Sequence, residues 1–467
     1  QQVLTIPLTC HVLHAVTKLK NIWIECARRT ITANDIFEPT FDLTCMSVFA
    51  LERVATAPRR FFALVRAAQS GGLHPSRRRT LPIGSSPASP DSYKQVRLVP
   101  GGRFLLARSQ ERFFVFDLSH APARTLHSAL LTRLLDIPAP DVAYVTLEDC
   151  YPGAEESSLR IVFTLFRDGE QERLPRFYLM EAFFRRRNDE NCVEWPNYDV
   201  DIELVAQLSP LVPLNSRPLI CFLCDSTAVI HTDVDIIVWD FSLQMVACWR
   251  VDSRLEQTIR VVHVAHGQAL CALRNIVITY PVPPFCDAYA KGSWDHTSLQ
   301  LHEVVLSLSE SNCAWITARP WHTATSASSN LLALDHFSRT TGLTRYVVDS
   351  PASTSGEGHT MPAVHGRWRD RSMCFDRASA WMPMRGYSVV EGGRAVCPYV
   401  RTPWGFHVGL LAYGGPYSEA AEVRVSGVES FDRWDACPAS GRYCYIDVKD
   451  TRTIVVCDCL ADSLTAN

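Results

Sequence analysis

One short pattern governs what most of this chain can fold into. The run Phe113-Phe114-Val115-Phe116-Asp117-Leu118 returns as Ile236-Ile237-Val238-Trp239-Asp240-Phe241 and as Ile454-Val455-Val456-Cys457-Asp458-Cys459, each with an apolar-Val-x-Asp-apolar core. A second element recurs with it. The turn at Pro100-Gly101-Gly102-Arg103 has counterparts in Gly267-Gln268-Ala269-Leu270, Gly392-Gly393-Arg394-Ala395 and Ser440-Gly441-Arg442-Tyr443. Short apolar runs punctuated by Gly, Pro, Ser and Asp are strand signals. Asp suits the end of such a strand because its carboxylate can accept from the amides of the following turn.

The clearest unit covers residues 95–131. It reads Val96-Arg97-Leu98-Val99, the Gly101-Gly102 turn, Arg103-Phe104-Leu105-Leu106-Ala107, the Phe113 run, and Arg124-Thr125-Leu126-His127. Four strands in antiparallel succession make one propeller blade. The landmarks divide the body into units near 93–131, 141–208, 209–251, 258–308, 313–370, 384–425 and 428–460. The repeat resembles a degenerate WD-type repeat, whose usual period is ~40–45 residues. The expected fold is mainly β, a seven-bladed (six to eight) β-propeller over 93–467, preceded by a small helical head. The last unit offers three strands, 429–432, 442–447 and 453–460, so its open edge should pair with an early strand around 80–83.

Composition agrees with a packed, intracellular chain. Of 467 residues 47% are hydrophobic and 20% charged, which excludes disorder. The apolar stretch 219–224 is far short of the ~18 residues needed to cross a membrane, and no basic segment leads into an apolar one at the start. The 17 cysteines are odd in number and lie singly in apolar segments, as Cys248, Cys271, Cys313 and Cys397 do, and no Asn-x-Ser/Thr acceptor occurs. Both features favour reduced thiols and a cytoplasmic or nuclear location. Charge is divided: residues 1–90 carry 11 Lys/Arg against 5 Asp/Glu, and the remainder 35 against 44.

The basic head has helical periodicity. Leu4, Leu8, Val12, Val16, Leu19, Ile22, Trp23 and Ala27 recur at spacings of three and four over residues 3–29, which fits two short helices. Ser47 can cap a third with Val48, Leu51, Val54 and Ala55 on its inner face. Pro58 opens a fourth, with Phe61, Leu64, Val65 and Ala68, ended by Gly71-Gly72. The expected divisions are a helical module over 1–32, a helical connector over 33–76, and a linker with a possible closing strand over 77–92.

The run Leu4-x3-Leu8-x-Cys10-x2-Leu13-x2-Val16, followed by Ile22-Trp23-x4-Arg28-Arg29, resembles the second half of an F-box. The stretch Ile36-Phe37-Glu38-Pro39-Thr40-Phe41, through Met46-Ser47 and Leu51-Glu52 to Ala57-Pro58-Arg59-Arg60-Phe61, is similar to the continuation seen in F-box proteins of mushroom-forming (agaricomycete) fungi. The resemblance covers about the first 65 residues. It implies a substrate-recognition subunit of a cullin-based (SCF-type) ubiquitin ligase, with Leu4, Leu8, Leu13 and Trp23 in the adaptor-docking head and a protein substrate on the propeller. The leading half of an F-box is not in this chain, which starts at Gln1, so docking of the chain as it stands is expected to be weak.

Chemical motifs are sparse. Nucleophile elbows, phosphate loops, dinucleotide fingerprints and His-Glu-x-x-His pairs are missing, so no catalytic residues and no cofactor are expected. Cys221-x2-Cys224 with His231 lacks the second ligand pair of a structural zinc site, and alternation along a strand would send the two thiols to opposite faces. Cys457-x-Cys459 shares one face but has no partner ligands, so no metal is expected. Asp199, Asp201 and Glu203 read as a solvated outer strand, and Arg185-Arg186-Arg187 as an exposed strand end. Arg77-Arg78-Arg79 precedes a Pro/Ser-rich stretch without aromatics for base stacking, which reads as a solvated linker and excludes nucleic acid as a partner. Trp294, Trp315, Trp321, Trp368 and Trp404 fall near unit boundaries, where a partner could meet them. The rival readings are a propeller scaffold unrelated to ubiquitin and a propeller hydrolase or lyase, the latter favoured if polar side chains converge in the central channel.

Overall fold

The computed structural model describes residues 17–250 apart from 35, 69–72, 84–90, 120–121, 138–143, 167–174, 188–195, 210–218, 225 and 233–234. It also describes the strands between 261 and 425 with the segment 281–289, and residues 433–460.

Among the described residues the head holds two α-helices, α1 (Lys20–Ala33) and α2 (Val48–Ala67). The Ser47 hydroxyl accepts the Ala50 amide at 3.2 Å, which satisfies one of the unpaired donors of the first turn of α2. The sequence predicts a break at Pro58, but α2 runs straight through it for 20 residues. A proline inside a helix removes one hydrogen bond and costs ~3 kcal/mol. Burial at both ends offsets that cost: Leu51 and Val54 pack with Trp23, Ala27 and Met46, while Phe61, Phe62 and Val65 pack with Trp434, Tyr443, Val455 and Cys457. The helix is thus a beam, rooted in the head at one end and in the sheets at the other.

Strand β1 (Arg77–Pro82) follows, and then the body proceeds in consecutive sheets. The first holds β2 (Tyr93–Leu98), β3 (Phe104–Ser109), β4 (Arg112–Asp117) and β5 (Arg124–Leu130), with a one-turn helix α3 (Leu131–Leu134) after it. The second holds β6 (Tyr144–Pro152), β7 (Ser158–Phe166), β8 (Arg176–Arg186) and β9 (Tyr198–Leu208). The third holds β10 (Leu219–Cys224), β11 (Thr227–His231), β12 (Asp235–Asp240) and β13 (Met245–Arg250). Next come β14 (Val261–Ala265), β15 (Gln268–Ala272) and β16 (Ile276–Pro281) of the fourth sheet. The short β17 (Cys286–Asp287) and β18 (Thr297–Ser298) return to β13, and β19 (Glu303–Ser307) completes the fourth sheet.

The fifth sheet holds β20 (Cys313–Ala318), β21 (Leu331–Ser338), β22 (Gly342–Asp349) and β23 (Ala363–Arg369). The sixth holds β24 (Ala380–Pro383), β25 (Ser388–Val390), β26 (Arg394–Thr402), β27 (His407–Tyr413) and β28 (Ala421–Val425). The seventh holds β29 (Trp434–Cys437), β30 (Arg442–Ile446) and β31 (Thr453–Asp458), and takes β1 as its fourth strand. Residues 429–432, expected as a strand, lie outside the described residues; β29 begins at Trp434. Neighbouring sheets touch through their first strands: β29 meets β2, β2 meets β6, β6 meets β10, β10 meets β14, β14 meets β20, and β20 meets β24.

The pairing of β1 with β31 runs antiparallel from Arg77 opposite Asp458 to Pro82 opposite Thr453. It includes residues 80–82 as the edge argument requires, but it also takes in the tribasic run. Arg77-Arg78-Arg79 is therefore strand, not linker, and Arg79 is the reason. Its Nη2 lies 2.8 Å from Asp458 Oδ2 and its Nη1 donates to the Leu118 carbonyl at 2.7 Å.

The two repeated sequence elements meet in space. Arg103 of the Gly-Arg turn, just before β3, and the landmark Asp117 at the end of β4 form a buried pair, Nη2 to Oδ2 at 2.8 Å and Nε to Oδ1 at 3.1 Å. Arg442 and Asp458 repeat the arrangement in the seventh sheet, and Arg442 also donates to the Gly102 carbonyl of the first. Both turns need glycine: Gly102 and Gly441 have φ of +70° and +67°, and a Cβ on Gly102 would lie 2.2 Å from Ser440 Oγ. The third landmark, Asp240, caps its own turn by accepting the Ser242 and Leu243 amides at 3.0 and 3.1 Å.

Candidate interaction surface

The head is held on the sheets by a small number of buried contacts. Phe37 enters the core between the first and second sheets, edge-on to Phe104 and Phe184 with centroids 6.0 and 5.2 Å apart, and its amide donates to the Pro100 carbonyl. Arg103 extends the tie by donating to the Pro39 carbonyl of the connector and the Pro196 carbonyl of the second sheet's loop. Its guanidinium also lies over the rings of Phe104 and Tyr198 at 5.0 and 5.1 Å. Arg186 Nη1 pairs with Asp42 Oδ2 at 2.7 Å, and Arg53 Nη2 donates to the Leu460 carbonyl at 3.0 Å. Burial pushes the Asp42 carboxyl up, but the Thr44 and Cys45 hydrogen bonds, helped by the Arg186 charge, hold it below the usual range.

Of the predicted docking residues, Leu4, Leu8 and Leu13 lie outside the described residues. Trp23 is buried in the head's own cluster, with its indole Nε1 donating to the Thr17 carbonyl at 2.6 Å. It is therefore a core residue whose loss would loosen the head. Among the described residues of the head, Leu19 and Phe49 are the most exposed large apolar side chains, 56% and 58%. Lys20 Nζ donates to the Thr44 carbonyl at 2.7 Å, which draws the start of α1 to the loop before α2. Phe49 was detectable in the sequence as an aromatic one position off the inward stripe of α2.

Polar side chains also gather where the first strands of neighbouring sheets meet, the feature that would favour an enzyme. Gln95 on β2 accepts from Arg108 Nε at 2.7 Å and from the Leu147 amide of β6 at 2.8 Å, and its amide donates back to the Leu147 carbonyl at 3.3 Å. Asp435 on β29 accepts the Leu98 amide of β2 at 2.7 Å and the Ala436 amide at 2.8 Å. Burial pushes the Asp435 carboxyl up to about 6, against the pull of Arg97 and with a push from Asp149. These groups are spent on joining one sheet to the next. Among the described residues no group of three or more His, Cys, Asp and Glu side chains could hold a metal ion.

The remaining predicted residues are scattered. Cys221 sits at a register shift, with Ile220 opposite Ile230 and Phe222 opposite Val229, so simple alternation does not govern the Cys221/Cys224 pair. The side chains of both lie outside the described residues; His231 is buried with Nδ1 2.9 Å from the Thr232 carbonyl. Cys457 and Cys459 are buried, and burial pushes the Cys459 thiol up to about 12. Asp199, Asp201 and Glu203 are exposed on β9, the outer strand of its sheet. Arg187 and Arg185 pair with Asp199 and Asp201. Trp294, Trp321 and Trp404 lie outside the described residues, as do the side chains of Trp315 and Trp368. Among the described residues no helix is long and apolar enough to cross a membrane.

No family model matches the chain, and no curated protein matches it. Several solved structures share a likeness to it. The WD40 domain of SCAP from fission yeast is 8% identical over 79% of this chain and 82% of its own, with a TM-score of 0.35. Hsv2 of Kluyvelomyces marxianus is 10% identical over 78% and 96%, also with a TM-score of 0.35. The CNH domain of AfRom2 is 9% identical over 72% and 99%, with a TM-score of 0.24.

Proposed function

We propose that this chain is a non-catalytic protein-interaction scaffold, a helical head on a seven-bladed WD-like propeller, that serves as the substrate receptor of a cullin-based ubiquitin ligase. The observation that carries the scaffold role is the mounting of the head: Phe37, Arg103 and the α2 beam tie it to the first, second and seventh sheets through buried contacts. A partner on the head and a partner on the sheets are then kept at a fixed separation. Such a receptor works by effective concentration, bringing a bound target to a charged conjugating enzyme, and makes no bond itself. The blade count is supported by consecutive sheets that touch through their first strands and by β1 completing the last. The ligase role rests on the F-box resemblance.

The test is co-expression of the full open reading frame with adaptor and cullin. Co-purification of both is expected, with Trp23→Ala reducing it by unfolding the head core. Recovery of neither would end the ligase reading and leave a scaffold unconnected with ubiquitin.

A further inference from the structure

The outer edge of the second sheet carries an apolar surface that neither the head nor the sheet cores use. On β9, Leu204 lies opposite Met180 and Ala206 opposite Leu179, so Val205 is an extra residue, a β-bulge. The bulge turns the strand over. Tyr198 and Val200 before it pack toward the first sheet, whereas Ala206 and Leu208 after it pack toward the third. At the crossover Leu204 and Val205 are both left 40% exposed.

The third sheet closes on this point. The Tyr289 hydroxyl donates to the Gln207 carbonyl at 3.0 Å and lies 3.3 Å from Gln244 Oε1, while the Ala288 amide donates to the Gln244 carbonyl. Tyr289 is 50% exposed, and beside these contacts stand Leu243, 70% exposed, and Phe285, 41% exposed. Five exposed large apolar residues therefore lie on the segments that meet at this junction, Leu204 and Val205 just before Gln207, Leu243 next to Gln244, and Phe285 four residues before Tyr289. Exposed apolar residues grouped in this way mark a contact surface.

Charge says what fits there. The segments that form the junction, 203–208, 240–246 and 282–289, contain Glu203, Asp240 and Asp287 and no Lys or Arg. None of the three carboxylates has an ion-pair partner among the described residues. No strand pairs with β9 on the side away from β8 among the described residues, so an extended chain can lie along that edge.

We infer that this edge docks an extended segment of a partner protein in which two apolar side chains, flanked by Lys or Arg, seat on Leu204, Val205, Leu243, Phe285 and Tyr289. The inference rests on the scaffold reading and names the kind of target the sheets would hold.

The test uses the full chain and an array of peptides with Leu, Ile, Val or Phe at two alternate positions between Lys-Arg pairs. Copies with every basic residue changed to Glu, and copies with both apolar residues changed to Ser, are set beside them. The basic-apolar set is expected to bind at least tenfold more tightly than either control, and more weakly as salt rises. Leu243→Ser combined with Phe285→Ser should lower that affinity at least tenfold at an unchanged melting temperature, and Glu203→Lys should lower it too. If the double variant fails to fold, Leu243→Ser alone takes its place, since that side chain is the most exposed of the five.

Equal binding of the charge-reversed peptides, or unaltered binding by the variants, would overturn the inference. So would self-association in sedimentation, or capture by phosphatidylcholine vesicles, that the double substitution abolishes, since either result would assign the patch to a second copy or to a membrane. Adaptor capture is read in parallel: its loss with peptide binding kept sinks the ligase role alone, and the reverse sinks this surface alone.

Discussion

Two carboxylates, Asp117 and Asp435, illustrate how neighbours decide what a residue does. Burial raises Asp117, but the hydrogen bonds and charge of Arg103, with help from Ser119, hold it below the usual carboxylate range. Its stabilising effect is therefore present above pH 3.8 and is lost as pH falls through the lowered folded value. Asp435 has the opposite sign. With a folded value near 6 against an ordinary 3.8, it holds a proton that the unfolded chain releases, so its contribution improves as pH falls from 6 toward 3.8. Asp435→Asn should flatten this limb of the stability profile, read as melting temperature across about pH 4 to 7; an unchanged slope would locate the titration elsewhere. Arg103→Met should cost about 3–5 kcal/mol in chemical denaturation, because it strands the buried Asp117 charge and frees the Pro39 and Pro196 carbonyls. A loss under ~1 kcal/mol would mean the pair is no more than a surface ion pair in effect.

Among the elements, β31 joins an early strand, the seventh sheet and the head's long helix. It pairs with β30 on one side and β1 on the other, and Val455 and Cys457 form part of the seat for Phe61, Phe62 and Val65 of α2. Truncation after Asp450 removes it whole. Two strand edges and the inner face of the beam would then be exposed together, so both the helical and the aromatic circular-dichroism signals should lose their cooperative transition. A truncated chain that melts like the full one would show that the seventh sheet stands without its last strand. Helix α2 makes the complementary point, since it keeps Pro58 inside because each half has its own burial site.

Hydrophobic clusters between neighbouring sheets and the Arg-Asp pairs supply the cohesion, so purified protein should contain far less than one zinc per chain and chelator should leave its melting temperature unchanged. A stoichiometric, chelator-sensitive metal would overturn this. The head and the sheets share buried residues, Phe37 with the first two sheets and Phe61 with the seventh, so a partner bound to one is rigidly placed relative to the other.

Local pattern alone was enough for the succession of four-stranded units, because strand runs, turn glycines and terminal Asp residues are short-range signals that each segment carries by itself. It was also enough to place an early strand beside the last one, since an open edge must be covered. Partners distant in the chain were not legible. Nothing around Arg77-Arg78-Arg79 distinguishes a linker from a strand until Asp458 and Leu118 stand beside it, and nothing near Pro58 shows that both flanking turns have cores to enter. The bulge at Val205 and the meeting of Gln207, Gln244 and Tyr289 likewise exist only once three segments are brought together. Sequence sets the period and chemistry of each strand; the energy that selects among long-range pairings is released on burial, and only the tertiary structure shows where that burial occurs.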